Sequence, residues 1–210
     1  MPSFEERLAD RARKARVEVP FALAARLTSY YQLLDRWNEA INLTSLSDPD
    51  EAIDRLLLEP LAAARFLPAS VSLVDLGSGG GSPAIPLALA LEAARLVMVE
   101  SRVRKSAFLR EAVRQLDFSI ASVETARFEE LTKQPDFRES FGAVSIRAVR
   151  IDPLTLLAAA SFLRPGGLVA LFRGPEGPDR PQSAPEQLAH VQTERLLPHS
   201  TSRLTVLRRV

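Results

Sequence analysis

"LVDLGSGGGSPAIPLAL", residues 73–89, sets four glycines in five positions between a short apolar run and a stretch with helical spacing. Glycines at the end of a strand let the backbone turn sharply and approach a ligand, and the helix behind them offers free N–H groups. The surrounding residues narrow the ligand. A phosphate-cradling loop needs Lys and then Ser or Thr directly after the glycines, whereas Ser82, Pro83 and Ala84 follow here and no basic residue occurs before Arg95. A dinucleotide loop wants G-x-G-x-x-G; Gly77 and Gly79 fit, but position 82 is Ser. Asp75 would also lie unfavourably close to an anionic pyrophosphate. The spacing D-x-G-x-G-x-G through Asp75, Gly77, Gly79 and Gly81 suits a ligand with a cationic end. S-adenosylmethionine, with its sulfonium and amino group, is such a ligand.

Outward from this loop, β-branched runs alternate with helical segments. Strands are expected near 72–76, 96–100, 119–123, 143–146 and 167–172, with helices near 83–94, 102–116, 128–133 and 153–163. This alternation signals right-handed crossovers on a mostly parallel sheet. Two last runs, 187–197 and 204–210, read as a hairpin closing one edge, after a proline-crowded stretch at 174–185 read as a mobile connection. The second strand ends at Glu100, 21 residues beyond Gly79, where an acid can grip the ribose hydroxyls of a bound adenosine.

Ahead of the sheet the pattern is helical. Ser3 and Glu6 make a capping box before Phe4, Leu8, Ala12 and Ala15. Leu23, Leu27, Tyr30, Leu34, Trp37 and Ile41 then form one apolar stripe, with Trp37 read as core. Asp48 and Pro49 cap a third helix ending near Phe66. Residues 1–68 are thus expected as a helical extension packed on a cofactor domain spanning 69–210.

Length and composition fit one α/β core: 210 residues, 46% hydrophobic and 25% charged, exclude wholesale disorder. Absence of cysteine removes disulfides, Cys-ligated metals and thiol nucleophiles. The longest apolar stretch, 84–94, is far short of the roughly 20 residues that span a bilayer, and the charged start has no secretory character. The expectation is a cytoplasmic monomer without membrane or metal. A net charge of +1 argues against a uniformly basic nucleic-acid coat, so local clusters matter. Arg7, Arg11, Arg13, Lys14 and Arg16 interleave with acids and read as a solvated helix face; Arg7, Arg11 and Lys14 share one side, with RNA backbone contact as the alternative. His190 and His199 lack partners at metal or triad spacing and read as structural or solvent-facing.

Several segments together resemble a known family, the bacterial 16S ribosomal RNA methyltransferase G, also called glucose-inhibited division protein B. "LLDRWNEAINLTSLSDPDE" resembles its W-N-x-x-x-N-L-T segment, and the Pro83 and Ile85-Pro86 pattern after the glycines is more diagnostic than the glycines themselves. "ESRVRKSAFLR", "SIRAV" and "LVALFRG" are similar to later family segments. The resemblance implies a Rossmann-like class I S-adenosylmethionine-dependent methyltransferase fold with a mostly parallel seven-stranded sheet. It implies methylation of guanine N7 in the decoding-region loop of 16S RNA, on naked RNA or a small-subunit particle. By resemblance, Asp75, Gly77, Gly79 and Gly81 line the methionine end of the cofactor, with Ser78 and Pro83 in the same loop. Glu100 takes the ribose with Ser101 beside it, Ala126 and Arg127 lie near adenine, and Arg147 lies beside the transferred methyl. Asn42, Arg55, Arg104, Lys105 and Arg173 would face RNA, Arg173 standing where the family has lysine.

Where the family reads R-H-x-x-D-S, this chain reads "RLLLEP": Arg55 is kept while Leu56, Glu59 and Pro60 replace His, Asp and Ser. The chemistry does not require that His. Guanine N7 carries an in-plane lone pair and no proton, so alignment replaces a general base. Arg147 or Arg173 is expected to read N7 and O6 as a bidentate fork. Methylation of pyrimidine C5 normally needs a Cys, which is missing, and no N-P-P-Y motif occurs for exocyclic amines. Three rivals remain at this point: the same fold acting on a different substrate, a catalytically silent protein that binds cofactor or RNA, and, more distantly, a nicotinamide-dependent enzyme.

Overall fold

The computed structural model describes residues 2–174 and 184–210. Most of the expected connection at 174–185 lies outside the described residues.

Ser3 opens α1 (Phe4–Ala15) with both halves of the capping box: its Oγ accepts from the Glu6 amide at 3.1 Å while Glu6 accepts from the Ser3 amide at 2.7 Å. The long α2 (Phe21–Ile41) buries Leu27, Tyr30 and Leu34, and Trp37 packs edge-on against Phe108 at 5.8 Å. Asp48 caps α3 (Pro49–Ile53) through the Glu51 amide at 2.8 Å. The third helix is not regular. Its middle, Asp54–Leu58, is a π-helical turn, and α4 (Glu59–Ala64) completes it.

Of the basic residues of α1 and its cap, Arg13, Lys14 and Arg16 are exposed as expected, whereas Arg7 and Arg11 are turned inward, against the expectation of a solvated surface. Arg7 donates to Asp50 at 2.8 Å, and Arg11 pairs with Asp54, which also meets His199 at 2.7 Å. The periodicity of α1 shows that these arginines share a side; only tertiary packing shows that α3 and the π-turn bring carboxylates to it. Lys14 pairs with Asp10 on its own helix. The cluster therefore fastens α1 to the third helix, and His199 is structural.

Among the described residues the sheet contains seven strands in the order β3-β2-β1-β4-β5-β7-β6. β1 (Ser72–Leu76), β2 (Arg95–Val99), β3 (Ala121–Glu124), β4 (Phe141–Arg147) and β5 (Leu163–Arg173) run parallel. β6 (Leu188–Arg195) and β7 (Arg203–Arg209) form the expected antiparallel hairpin, with β7 against β5. Between the strands lie α5 (Ala84–Ala90), α6 (Val103–Gln115), α7 (Phe128–Leu131) and α8 (Pro153–Phe162). α5 stops four residues before the expected Ala94 because Glu92 takes a left-handed conformation, φ 48°.

Central strands read as continuous apolar runs because both faces are covered. Leu73, Leu96, Met98 and Ala143 face the layer of α1, α2, α5 and α6, while Val74, Leu76, Val97 and Val144 face α7 and α8. The strand order reverses between β1 and β4, and ligands of such sheets sit in the crevice at that reversal. The glycine loop leaves β1 at this point. No helix among the described residues is long and apolar enough to cross a membrane.

Candidate functional site

Gly77, Gly79 and Gly81 all hold positive φ (76°, 52° and 84°), a region closed to most side chains. A Cβ at Gly77 would stand 2.5 Å from Cγ2 of Val149, on the loop after β4, so this glycine also permits two loops to close on one another. Glu100 braces the turn: its Oε2 accepts from the Gly79 amide at 2.9 Å and its Oε1 from the Arg102 amide at 2.8 Å. Each carboxylate oxygen keeps acceptor capacity for the hydroxyls of a ribose.

The N-terminal helices form the other wall. The hydroxyl of Tyr30, fully buried in α2, donates to the carbonyl of Gly80 at 2.6 Å. Burial pushes that phenol's pKa well above its ordinary value. Pro60 has no N–H, so the carbonyl of Leu56 lacks its regular helical donor, and it accepts instead from Ser82 Oγ at 2.8 Å. In the π-turn the Glu59 amide bonds Asp54. The carbonyl of Arg55 is thereby left to a guanidinium N–H of Arg147. The proline that departs from the resembled motif thus helps turn two backbone acceptors toward the glycine loop.

These contacts enclose a cavity of about 420 Å³ lined by Gly77, Ser78, Gly79, Glu100, Lys105 and Arg147, with Arg55 at its edge. A second cavity of about 300 Å³ adjoins it, sharing Arg55, Arg147, Ala148 and Val149 and adding Glu59, Phe172 and Arg173. Arg147 stands between the two. Its Nη2 meets Glu59 at 2.7 Å and its guanidinium lies over the Phe172 ring at 4.5 Å. Burial lowers its pKa, and the neighbouring Glu59 opposes that shift.

Asp75 does not line either cavity. It is 1% exposed beneath the loop, where Ser145, its register partner on β4, donates to Oδ1 at 2.5 Å. Burial raises its pKa to about 6, against the hydrogen bonds from Ser145 and Ser78. Gly81 and Pro83 shape the turn without reaching the cavities; a Cβ at Gly81 would meet Ile85 at 2.8 Å. Ser101, Arg104 and Arg127 are exposed and line neither space, and Ala126 packs into the layer beneath α7 and α8. Asn42 is the left-handed C-cap of α2, φ 50°, so the chain turns there and delivers Leu43, Thr44, Ser45 and Leu46 to the cavity wall. Those four, with Ser82 and Tyr30, were missed as site residues in the sequence; only the N-L-T segment after α2 carried a signal for them.

The donor set fits S-adenosylmethionine. A glycine cradle that side chains would fill, Glu100 with spare acceptor capacity for a ribose, and the buried Asp75 carboxylate suit an adenosine with a cationic amino-acid end. Loss of the Tyr30 hydroxyl should loosen the cradle alone. Tyr30→Phe is expected to cost about 1–3 kcal/mol of stability, because the Gly80 carbonyl loses its partner. It should also weaken S-adenosylhomocysteine binding several-fold; calorimetric titration beside urea denaturation checks both.

Comparison with known proteins gives one result. The family model described as rRNA small subunit methyltransferase G matches residues 23–203. A Ribosomal RNA small subunit methyltransferase G of Stenotrophomonas maltophilia (strain K279a) is 40% identical over 153 residues, covering 73% of this chain and 70% of that protein. The protein of the same name from Sorangium cellulosum (strain So ce56) is 35% identical over 187 residues, 88% of this chain and 75% of its own length. Among solved structures, MtNAS in complex with MTA and tNA aligns with a TM-score of 0.62 at 11% identity, over 90% of this chain and 72% of that one. TrmN from Thermus thermophilus aligns at 0.55 with 20% identity, over 72% and 47%. These two likenesses concern the fold.

Proposed function

The chain belongs to the rRNA small subunit methyltransferase G family, and from that footing we propose that it methylates N7 of a guanine in small-subunit ribosomal RNA, using S-adenosylmethionine. The observation that carries the reading is the pair of adjoining cavities divided by Arg147, one bounded by the glycine loop and Glu100, the other by Phe172 and Arg173. The first has the donor set of an adenosine site and the second has room for a base.

When bound, S-adenosylmethionine supplies a methyl group on a cationic sulfur. N7 of guanine needs no general base, so the chain's task is alignment. Arg147 is held on three sides, by Glu59, the Arg55 carbonyl and the Phe172 ring. A side chain so fixed orients whatever lies on either side of it. The bidentate reading of N7 and O6 expected from sequence needs one change: a donor on N7 would occupy the lone pair that reacts. The contact supported here is to O6 alone, from the remaining N–H of Arg147 or from Arg173. Lys105 in the cavity lining and the exposed Arg104 give phosphates a cationic approach.

The test is genetic and chemical. Small-subunit RNA from cells deleted for this chain should lack one 7-methylguanosine found in the parent. The wild-type chain should restore it and Arg147→Ala should not. A full complement of 7-methylguanosine in the deletion strain would refute the reading.

A further inference from the structure

Among the described residues, the ionic side chains lining the larger cavity are Arg55, Lys105 and Arg147 against Glu100 alone. That balance is wrong for a cofactor whose reactive end is cationic. Two carboxylates lie just behind the wall, Asp75 and Glu59, each 1% exposed. Asp75 sits under the loop, bonded to Ser145. Glu59 is different in that it touches a lining cation directly, Oε2 to Arg147 Nη2 at 2.7 Å, while Oε1 accepts from Ser200 Oγ at 2.9 Å. Ser200 comes from the turn between β6 and β7, so the C-terminal hairpin fixes the carboxylate that fixes the arginine.

We infer that Glu59 is the counter-charge that makes the cofactor cavity prefer a cationic occupant over a neutral one. It acts through Arg147 and is a positioning residue. With Glu59 in place the dividing wall is a neutral pair, and a sulfonium can rest beside it. Without Glu59 the wall is a guanidinium with no carboxylate in contact with it, buried and unable to lose its proton. Such a wall opposes S-adenosylmethionine and leaves S-adenosylhomocysteine, whose sulfur is an uncharged thioether, far less affected. Glu59 would then help set how readily spent cofactor is exchanged for fresh. This inference rests on the proposed cofactor, though not on the RNA base.

The experiment is calorimetric titration of both cofactor forms into the full chain carrying no change, Glu59→Gln, Glu59→Asp, or Glu59→Gln with Arg147→Gln. Glu59→Gln should weaken S-adenosylmethionine roughly tenfold or more relative to S-adenosylhomocysteine, the effect of one unit charge across about 10 Å at an effective dielectric of about 20. Glu59→Asp should recover most of the preference. The double variant, which removes both charges, should return the ratio of the two affinities toward that of the wild type, and it remains measurable if Glu59→Gln alone folds poorly, because no unpaired charge stays buried. Equal weakening of both forms by Glu59→Gln, or a double variant no different from it, would overturn the inference. Wild-type chain that binds neither form would overturn the cofactor reading as well. Wild-type chain that binds both but methylates no guanine would overturn only the RNA target, and the affinity ratio would still decide for or against Glu59.

Discussion

Arg147→Ala is expected to lower methyl transfer by at least about a hundredfold, the scale of a misaligned reacting pair. Arg147 contributes to alignment because it is held at several points while still facing both cavities: Glu59 at 2.7 Å, Ser82 Oγ at 3.4 Å, the Arg55 carbonyl, and the Phe172 ring. Truncation opens the two cavities into one and strands the Glu59 carboxylate. An uncompensated buried charge of this kind costs about 3–5 kcal/mol, so the variant should also unfold at lower urea. Arg147→Lys separates the two effects. It keeps the charge and most of the stability, yet lacks the planar fork that reaches Arg55 and Glu59 together. Single-turnover transfer beside urea denaturation should show Arg147→Lys near wild type in stability and deficient in rate. Full activity in either variant would remove Arg147 from the site.

Asp75→Asn should strengthen the empty protein while weakening its hold on the cofactor. The Asp75 pKa of about 6 lies above its ordinary 3.8 because burial disfavours the charged form. The folded state thus binds a proton more tightly than the unfolded chain, and stability falls as pH rises from about 4 to about 6. At neutral pH the ionised carboxylate costs on the order of 3 kcal/mol, two pKa steps at about 1.4 kcal/mol each. Asn keeps an oxygen for Ser145 and carries no charge, so it should recover much of that stability above pH 7 and little at pH 4. The same charge favours a cationic ligand; S-adenosylmethionine affinity should therefore drop by about tenfold or more in Asp75→Asn. In the wild type it should decline as pH falls below about 6. Urea denaturation at pH 5 and pH 8 with parallel titrations checks this, and an Asn variant less stable at pH 8 would contradict it.

What the sequence shows well is local. The glycine loop, the Glu100 spacing and the strand-helix alternation are each contained in short windows, and the alternation implies a mostly parallel sheet of right-handed crossovers. The two ends of the site were harder for a physical reason. Tyr30 looks like any apolar-stripe residue until α2 lies against the loop, 50 positions away in sequence, and its hydroxyl finds Gly80. Glu59 and Pro60 read as departures from a motif. Only the fold shows that Glu59 meets Arg147 and that Pro60 leaves a carbonyl for Ser82. Arg7 and Arg11 depart from expectation in the opposite sense, since helical spacing gives a side without saying what covers it. Asn42, expected to face RNA, is the cap of α2 and as a cap positions Leu43 to Leu46 without touching the cavity itself.

The most direct measurement is transfer of labelled methyl from S-adenosylmethionine to small-subunit particles taken from cells that lack this chain, followed by nucleoside analysis. The account predicts label in 7-methylguanosine alone, at close to one per 16S RNA, and almost none with Arg147→Ala protein that still binds cofactor. Cofactor binding by the wild type without label in RNA from any precursor particle, or label in a different nucleoside, would contradict it.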